Sequence, residues 1–273
     1  MGSFSRTIAA VSLVLAVPCF GRADTFNYAD YVGNTVRYLD TTEVTAATNS
    51  DPSVAMFGAP VGVADSLDFS PVSFNSFSSG TGGMATTGSS LSSMIESLPG
   101  FVVGSIRFHE GGDFSLIGFN PPAGAGTFAS VTADFDVDIV EVDGVAIAPI
   151  HLDLSMNLTP SDGDFDLAND GPGPLVNQNW TGDLIVDVTQ ALIDAGQSFS
   201  VGATKVNVGV SNVLSTKSET GTTSFIAKKD FGGTSISVLI PLPPAFGLGL
   251  AGLASAAVLA LRRQRRPHDR VSE

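Results

Sequence analysis

Apolar and polar side chains alternate along Val131–Ile139 and again along Leu152–Leu158, on either side of the dipeptide Asp143-Gly144. Val131, Ala133, Phe135, Val137 and Ile139 hold one phase of the first half; Leu152, Leu154, Met156 and Leu158 hold one phase of the second. A period of two marks a strand with one buried and one exposed face. Asp-Gly between two such runs is a favoured tight turn. Gly126–Val142 and Val145–Leu158 are therefore predicted to pair antiparallel. The rest of the chain must then supply a second layer over their apolar face.

Further runs fit that demand. Phe101–Glu110 and Phe114–Phe119 are predicted as a hairpin around Gly111-Gly112-Asp113. Leu184–Val188, Lys205–Val213, Thr222–Lys229 and Thr234–Ile240 are short and bounded by turn residues, as strands are. Val188–Ala195 is one or two helical turns ended by Gly196. Ser70–Ser93, rich in Ser and Gly, is predicted as a long loop with a strand at its end. Many short antiparallel strands and no fixed internal repeat predict one all-β domain over residues 24–240, a β-sandwich or jelly roll.

Charge narrows the partners. Residues 24–240 carry 25 Asp or Glu against six bases: Arg37, Arg107, Lys205, Lys217, Lys228 and Lys229. Such a surface repels nucleic acid and anionic lipid and suits divalent cations. Cys19 is the only cysteine and lies in the N-terminal segment, so the domain has neither a disulfide nor thiol chemistry.

The most chemical-looking segment is the acidic loop with Asp162, Asp164, Asp166 and Asp170. Alternating carboxylates beside Gly163 can gather about six to eight oxygen ligands around Ca²⁺. An EF-hand loop needs glycine at its sixth position and glutamate at its twelfth, where Leu167 and Gly173 stand, so only a looser calcium loop fits. The plainer reading is a solvated acidic loop. Asp134, Asp136 and Asp138 alternate along one strand, and His151 and Asp153 on its partner share their face. That row is either a cation site or a solvated face that discourages edge-to-edge association.

Catalysis has little to stand on. His109-Glu110 lacks the second histidine of a zinc-protease helix, and no Gly-x-Ser-x-Gly or phosphate-binding glycine loop occurs. Paired carboxylates of the kind that hydrolyse a glycoside arise easily by chance among 25 acids. Sugar platforms favour exposed Trp or Tyr. Only Trp180, Tyr28, Tyr31 and Tyr38 are present; Trp180, Tyr28 and Tyr38 are expected to pack in the sandwich, as are the alternating phenylalanines. Lys228-Lys229 is expected to pair with carboxylates on a neighbouring strand or to touch an anionic polymer.

Both ends carry sorting features. Arg6 precedes the apolar run Thr7–Val17, and Gly21-Arg22-Ala23 offers small residues for cleavage after Ala23: a secretory signal over residues 1–23. An acylated Cys19 is the alternative, disfavoured by Pro18. At the other end Pro241, Pro243 and Pro244 precede the uncharged stretch Ala245–Leu261, and Arg262, Arg263, Arg265 and Arg266 follow. As a helix that stretch reaches about 25 Å, at the short end for a bilayer core. Arginines on one flank place residues 262–273 in the cytoplasm and the domain outside. Signal peptide, Pro-x-Pro, apolar helix and arginine cluster together resemble the PEP-CTERM sorting signal of exported bacterial proteins, over residues 241–266. The resemblance implies an inner-membrane intermediate and processing near the prolines by an exosortase-like enzyme, in bacteria that make extracellular polysaccharide. Leu242 stands where the family carries glutamate, and residues 267–273 extend past the arginines.

The expectation is an exported, membrane-anchored and then surface or extracellular-matrix protein with a non-catalytic structural or interaction role. The alternative is a carbohydrate- or calcium-binding module; an enzyme acting on glycosides comes third.

Overall fold

Asp143 and Gly144 sit at φ 52° and 75°, both in the left-handed region that an Asp-Gly hairpin turn requires. The strands on either side pair antiparallel, with Val142 opposite Val145. The structure is a computed structural model that describes residues 23–47, 53–80, 83–118, 126–170, 173–229 and 234–239. The predicted leader before Ala23 and the whole sorting segment from Pro241 lie outside these residues, as do Arg262, Arg263, Arg265 and Arg266. Among the described residues no helix is long and apolar enough to cross a membrane.

In chain order the first strands are β1 (Ala23–Asn27), β2 (Tyr31–Val32), β3 (Val36–Ala47), β4 (Val61–Val63), β5 (Ser66–Phe69), β6 (Asn75–Ser79), β7 (Ala85–Ser97) and β8 (Ser105–Gly118). Then come β9 (Phe128–Val142), β10 (Val145–Ser155), β11 (Leu158–Thr159), β12 (Asp164–Asp166), β13 (Leu175–Asp187), β14 (Ala203–Lys217), β15 (Thr222–Lys228) and β16 (Thr234–Leu239). The helix α1 (Val188–Asp194) follows β13; Asp187 caps it by accepting from the Gln190 N–H at 2.8 Å, and Gly196 ends it at φ 67°.

Two antiparallel sheets result, so the chain is an all-β sandwich. Sheet A runs β1-β3-β7-β14-β9-β10, with β2 on β3 and β12 on β9; sheet B runs β11-β13-β8-β16-β5-β4, with β15 between β6 and β8. The alternating rows face inward as expected: Val131, Ala133, Phe135, Val137 and Ile139 are all buried, with Val206, Val208, Val210 and Leu214 beside them. Trp180 and Tyr38 are fully buried among them.

Three elements differ from the sequence reading. Gly111-Gly112-Asp113 is no turn but the middle of the continuous β8. A side chain at Gly112 would put its Cβ 2.0 Å from the Ala227 carbonyl oxygen and 2.6 Å from the Trp180 ring, so this glycine serves close approach. The strand after Asp143-Gly144 stops at Ser155, and Leu158–Thr159 crosses to pair with β13 in the other sheet. Gly182 makes room for that crossing, since a Cβ there would lie 2.3 Å from Met156 Sδ. Ser70–Ser93 is largely strand: Ser76 and Ser78 are buried because Thr216 across the sandwich bonds both hydroxyls, at 3.0 and 3.2 Å.

Candidate functional site

The acids of the predicted calcium loop fall on successive short elements. Asp162 lies in a single 3-10 turn, and Asp164 and Asp166 flank inward Phe165 on β12, whose ring stacks on Phe114 at 3.8 Å. Asp166 Oδ1 accepts from the Ala168 and Asn169 N–H groups at 2.7 and 3.2 Å, and Asp170 accepts from the Asp166 N–H at 2.6 Å. Asp166 and Asp170 thus bind backbone N–H groups. Among the described residues, no three of these four acids bring ligand atoms within 4.8 Å of one another. Ala23, the expected cleavage residue, opens β1 opposite Ala46.

The carboxylate row on sheet A does assemble. Register puts His151 opposite Asp138, Asp153 opposite Asp136 and Ser155 opposite Asp134. The His151 ring is held at both nitrogens, Nδ1 2.7 Å from Asp138 and Nε2 3.0 Å from Asp153. Those contacts, Asp138 first, raise the His151 pKa and favour the imidazolium. Partial burial and then the Asp153 carboxyl push Asp136 upward, as expected when acids face each other. Asp136, His151 and Asp153 each offer a ligand atom within 4.8 Å of the others. A metal there would first have to displace the imidazole proton, and a mixed nitrogen and oxygen set suits a transition ion better than Ca²⁺.

Sheet B carries the feature that the alternation concealed. On β6, Ser76 and Ser78 face inward and Phe77 faces out, 52% exposed. Phe77 pairs with half-buried Phe225 on β15, and Phe225 pairs in turn with Ser115 on β8. The next row on the same face holds Ser79, Thr223 and exposed Ile117, with the two hydroxyls 3.2 Å apart. Beside this patch opens a groove of about 570 Å³ lined by Pro71, Val72, Asn75, Phe225 and Lys229 among others. Phenylalanines that alternate with polar residues were expected in the core. Local sequence carries no signal for this: Ser76-Phe77-Ser78 reads as a strand with Phe77 inward, the reverse of the observed burial.

The remaining candidates are accounted for structurally. His109 Nδ1 and Arg107 both contact Asp183, at 3.0 and 2.6 Å. Lys228 and Lys229 pair with Glu110 and Asp113 on neighbouring β8, as the sequence suggested.

No family model and no curated protein matches the chain. Among solved structures it is similar to the one described as TmCBM61 in complex with beta-1,4-galactotriose. That match has 10% identity and a TM-score of 0.21, over 81% of this chain and 90% of the other. A likeness this distant assigns no residue a role.

Proposed function

We propose that this is an exported, non-catalytic β-sandwich of the bacterial surface or extracellular matrix that binds a neutral polysaccharide on the outer face of sheet B. One observation carries the binding reading: the inverted pattern of β6, which buries serines and leaves Phe77 in water beside Phe225. At 52% exposure Phe77 forgoes about half of the roughly 1.5–3 kcal/mol that full burial of such a side chain is worth, and exposed apolar patches beside grooves mark binding sites. The apolar face of a sugar ring stacks on Phe77 and Phe225, while Ser79, Thr223 and Asn75 meet its hydroxyls. The acidic surface favours a neutral chain over an anionic one. Export rests on the two terminal segments and their resemblance to sorting signals.

The cluster of Asp136, His151 and Asp153 favours a second reading, binding through a cation on sheet A. A glycan array with and without EDTA, followed by calorimetry on the best ligand, separates the two. The expected result is EDTA-insensitive binding that weakens about tenfold, or 1.4 kcal/mol, in Phe77→Ala and is unchanged in Asp136→Asn. EDTA-sensitive binding lost in Asp136→Asn moves the site to sheet A. No binding in either condition rejects both.

A further inference from the structure

Two strands carry a polar residue where their inward phase calls for an apolar one, and a third ends its inward row on a lysine. On β14 Asn212 stands between Val210 and Leu214; on β8 Glu110 follows Ile106 and Phe108; on β15 Lys228 follows Ile226. All three side chains are buried, and they meet at one point between the sheets. Lys228 Nζ lies 2.6 Å from Glu110 Oε1 and also contacts Asn212 Oδ1. Asn212 Nδ2 donates to Glu110 Oε2 at 2.9 Å and to the Thr132 carbonyl at 3.3 Å, which fixes the amide with its oxygen toward the lysine. Phe57 and Phe74 cover the lysine head, their ring centres 4.6 and 5.6 Å from Nζ. A primary amine, a carboxamide and a carboxylate touching both, sealed from water, form a reactive set.

The geometry points to a self-catalysed amide cross-link between Lys228 and Asn212, with Glu110 as the proton carrier. Glu110 Oε1 takes a proton from the lysine ammonium, leaving a neutral amine. Nζ then attacks Asn212 Cγ, a C–N bond forms and the carbonyl π pair moves onto Oδ1. Glu110 passes its proton to Nδ2, the Cγ–Nδ2 bond breaks as the carbonyl re-forms, and ammonia leaves. The second proton lost by Nζ returns to Glu110. Ammonium, carboxylate and carboxamide thus become a secondary amide, a carboxylic acid and ammonia. Charge and hydrogen balance with no oxidant or added reactant.

Two features of the surroundings favour this direction. Burial pushes the Lys228 ammonium below the usual lysine range, against the opposing attraction of Glu110. Exclusion of water leaves no competitor for the amide carbon. Glu43, the nearby buried acid, has its oxygens engaged elsewhere: they accept from the Met56 and Phe57 N–H groups and the Ser89 and Tyr28 hydroxyls, at 2.6 to 2.9 Å. The bond joins β14 of sheet A to β15 of sheet B, a covalent tie across the sandwich.

Mass spectrometry of the full chain, denatured after export, tests this. The expected mass is one ammonia below that of the processed sequence. Trypsin should yield a branched peptide joining 206–217 to 218–229, because a modified Lys228 resists cleavage. Glu110→Gln, Lys228→Met and Asn212→Leu should each give the separate peptides. Separate peptides from the wild type overturn the cross-link. So does loss of ammonia confined to 206–217 with cleavage after Lys228 intact, which would be a succinimide at Asn212. A branched peptide from Glu110→Gln overturns the role of Glu110. The wild-type digest decides the main question even where a variant fails to fold.

Discussion

His151 lies between Asp138 and Asp153 with both ring nitrogens donating, an arrangement that only the imidazolium satisfies. Its pKa is raised in the folded chain. The pair's stabilisation is therefore fully present below the unfolded value near 6.5 and is lost as pH rises through the higher folded value. Because the ring is half exposed, the energy at stake is under about 1 kcal/mol, and the titration itself is the better readout. In an NMR titration the His151 ring should change shift above pH 6.5, and Asp138→Asn should bring that midpoint down further than Asp153→Asn. A wild-type midpoint at or below the ordinary value contradicts the doubly bonded ring. The shared face of Asp134, Asp136, Asp138, His151 and Asp153 was legible in the sequence, since alternation alone decides which side chains share a face. The meeting of Glu110, Asn212 and Lys228 was not, because alternation does not say which strands lie across the sandwich from each other. Part of its trace was there all the same: Asn212 and Glu110 each break an otherwise apolar inward phase.

At the scale of elements, two glycine-containing stretches of similar composition behave oppositely. Asp143-Gly144 turns the chain, and the Asp143 carboxylate also accepts from the N–H groups of Ser200, Gly202 and Val201 at 2.6 to 2.9 Å, which lowers its pKa. Gly111-Gly112-Asp113 lies flat in β8, because Gly112 faces the Trp180 ring and the Ala227 carbonyl. Local sequence cannot separate these cases: the second depends on a tryptophan that arrives from β13. The difference predicts two mutational outcomes. Gly112→Ala drives a methyl into backbone and a buried ring, and should destabilise the fold by about 3 kcal/mol, read as a lower urea midpoint. Gly83→Ala meets nothing within 4 Å and should stay within about 0.5 kcal/mol of the parent. Equal effects at the two sites would mean that β8 does not pass so close to Trp180. The same dependence on distant partners hid β6 within a serine-rich stretch, where Thr216 supplies the hydrogen bonds that bury Ser76 and Ser78.

For the whole molecule, charge divides the chain as export would require. Among the described residues, five of the six bases in 24–240 sit in ion pairs: Arg37 with Glu96, Arg107 with Asp183, Lys205 with Glu96 and Glu141, Lys228 with Glu110 and Lys229 with Asp113. The domain's surplus is thus carried by unmatched acids, while four arginines cluster at 262–266. Across a membrane that is negative inside, each elementary charge is worth roughly 2.3 kcal/mol per 100 mV, so a chain inserted as proposed would have its acidic domain driven outward and its arginines held in. On the proposed export reading, this asymmetry keeps the segment 245–261 inserted long enough for processing near Pro241, Pro243 and Pro244. Replacing Arg262, Arg263, Arg265 and Arg266 together by glutamine removes the inner anchor and leaves the domain intact. The expected outcome, followed by fractionation and immunoblotting in a host that carries an exosortase-like enzyme, is accumulation of unprocessed chain and loss of surface delivery. Unchanged processing and delivery of that variant would show that the arginines play no part in sorting, and with them would go the main physical support for the tail's proposed topology.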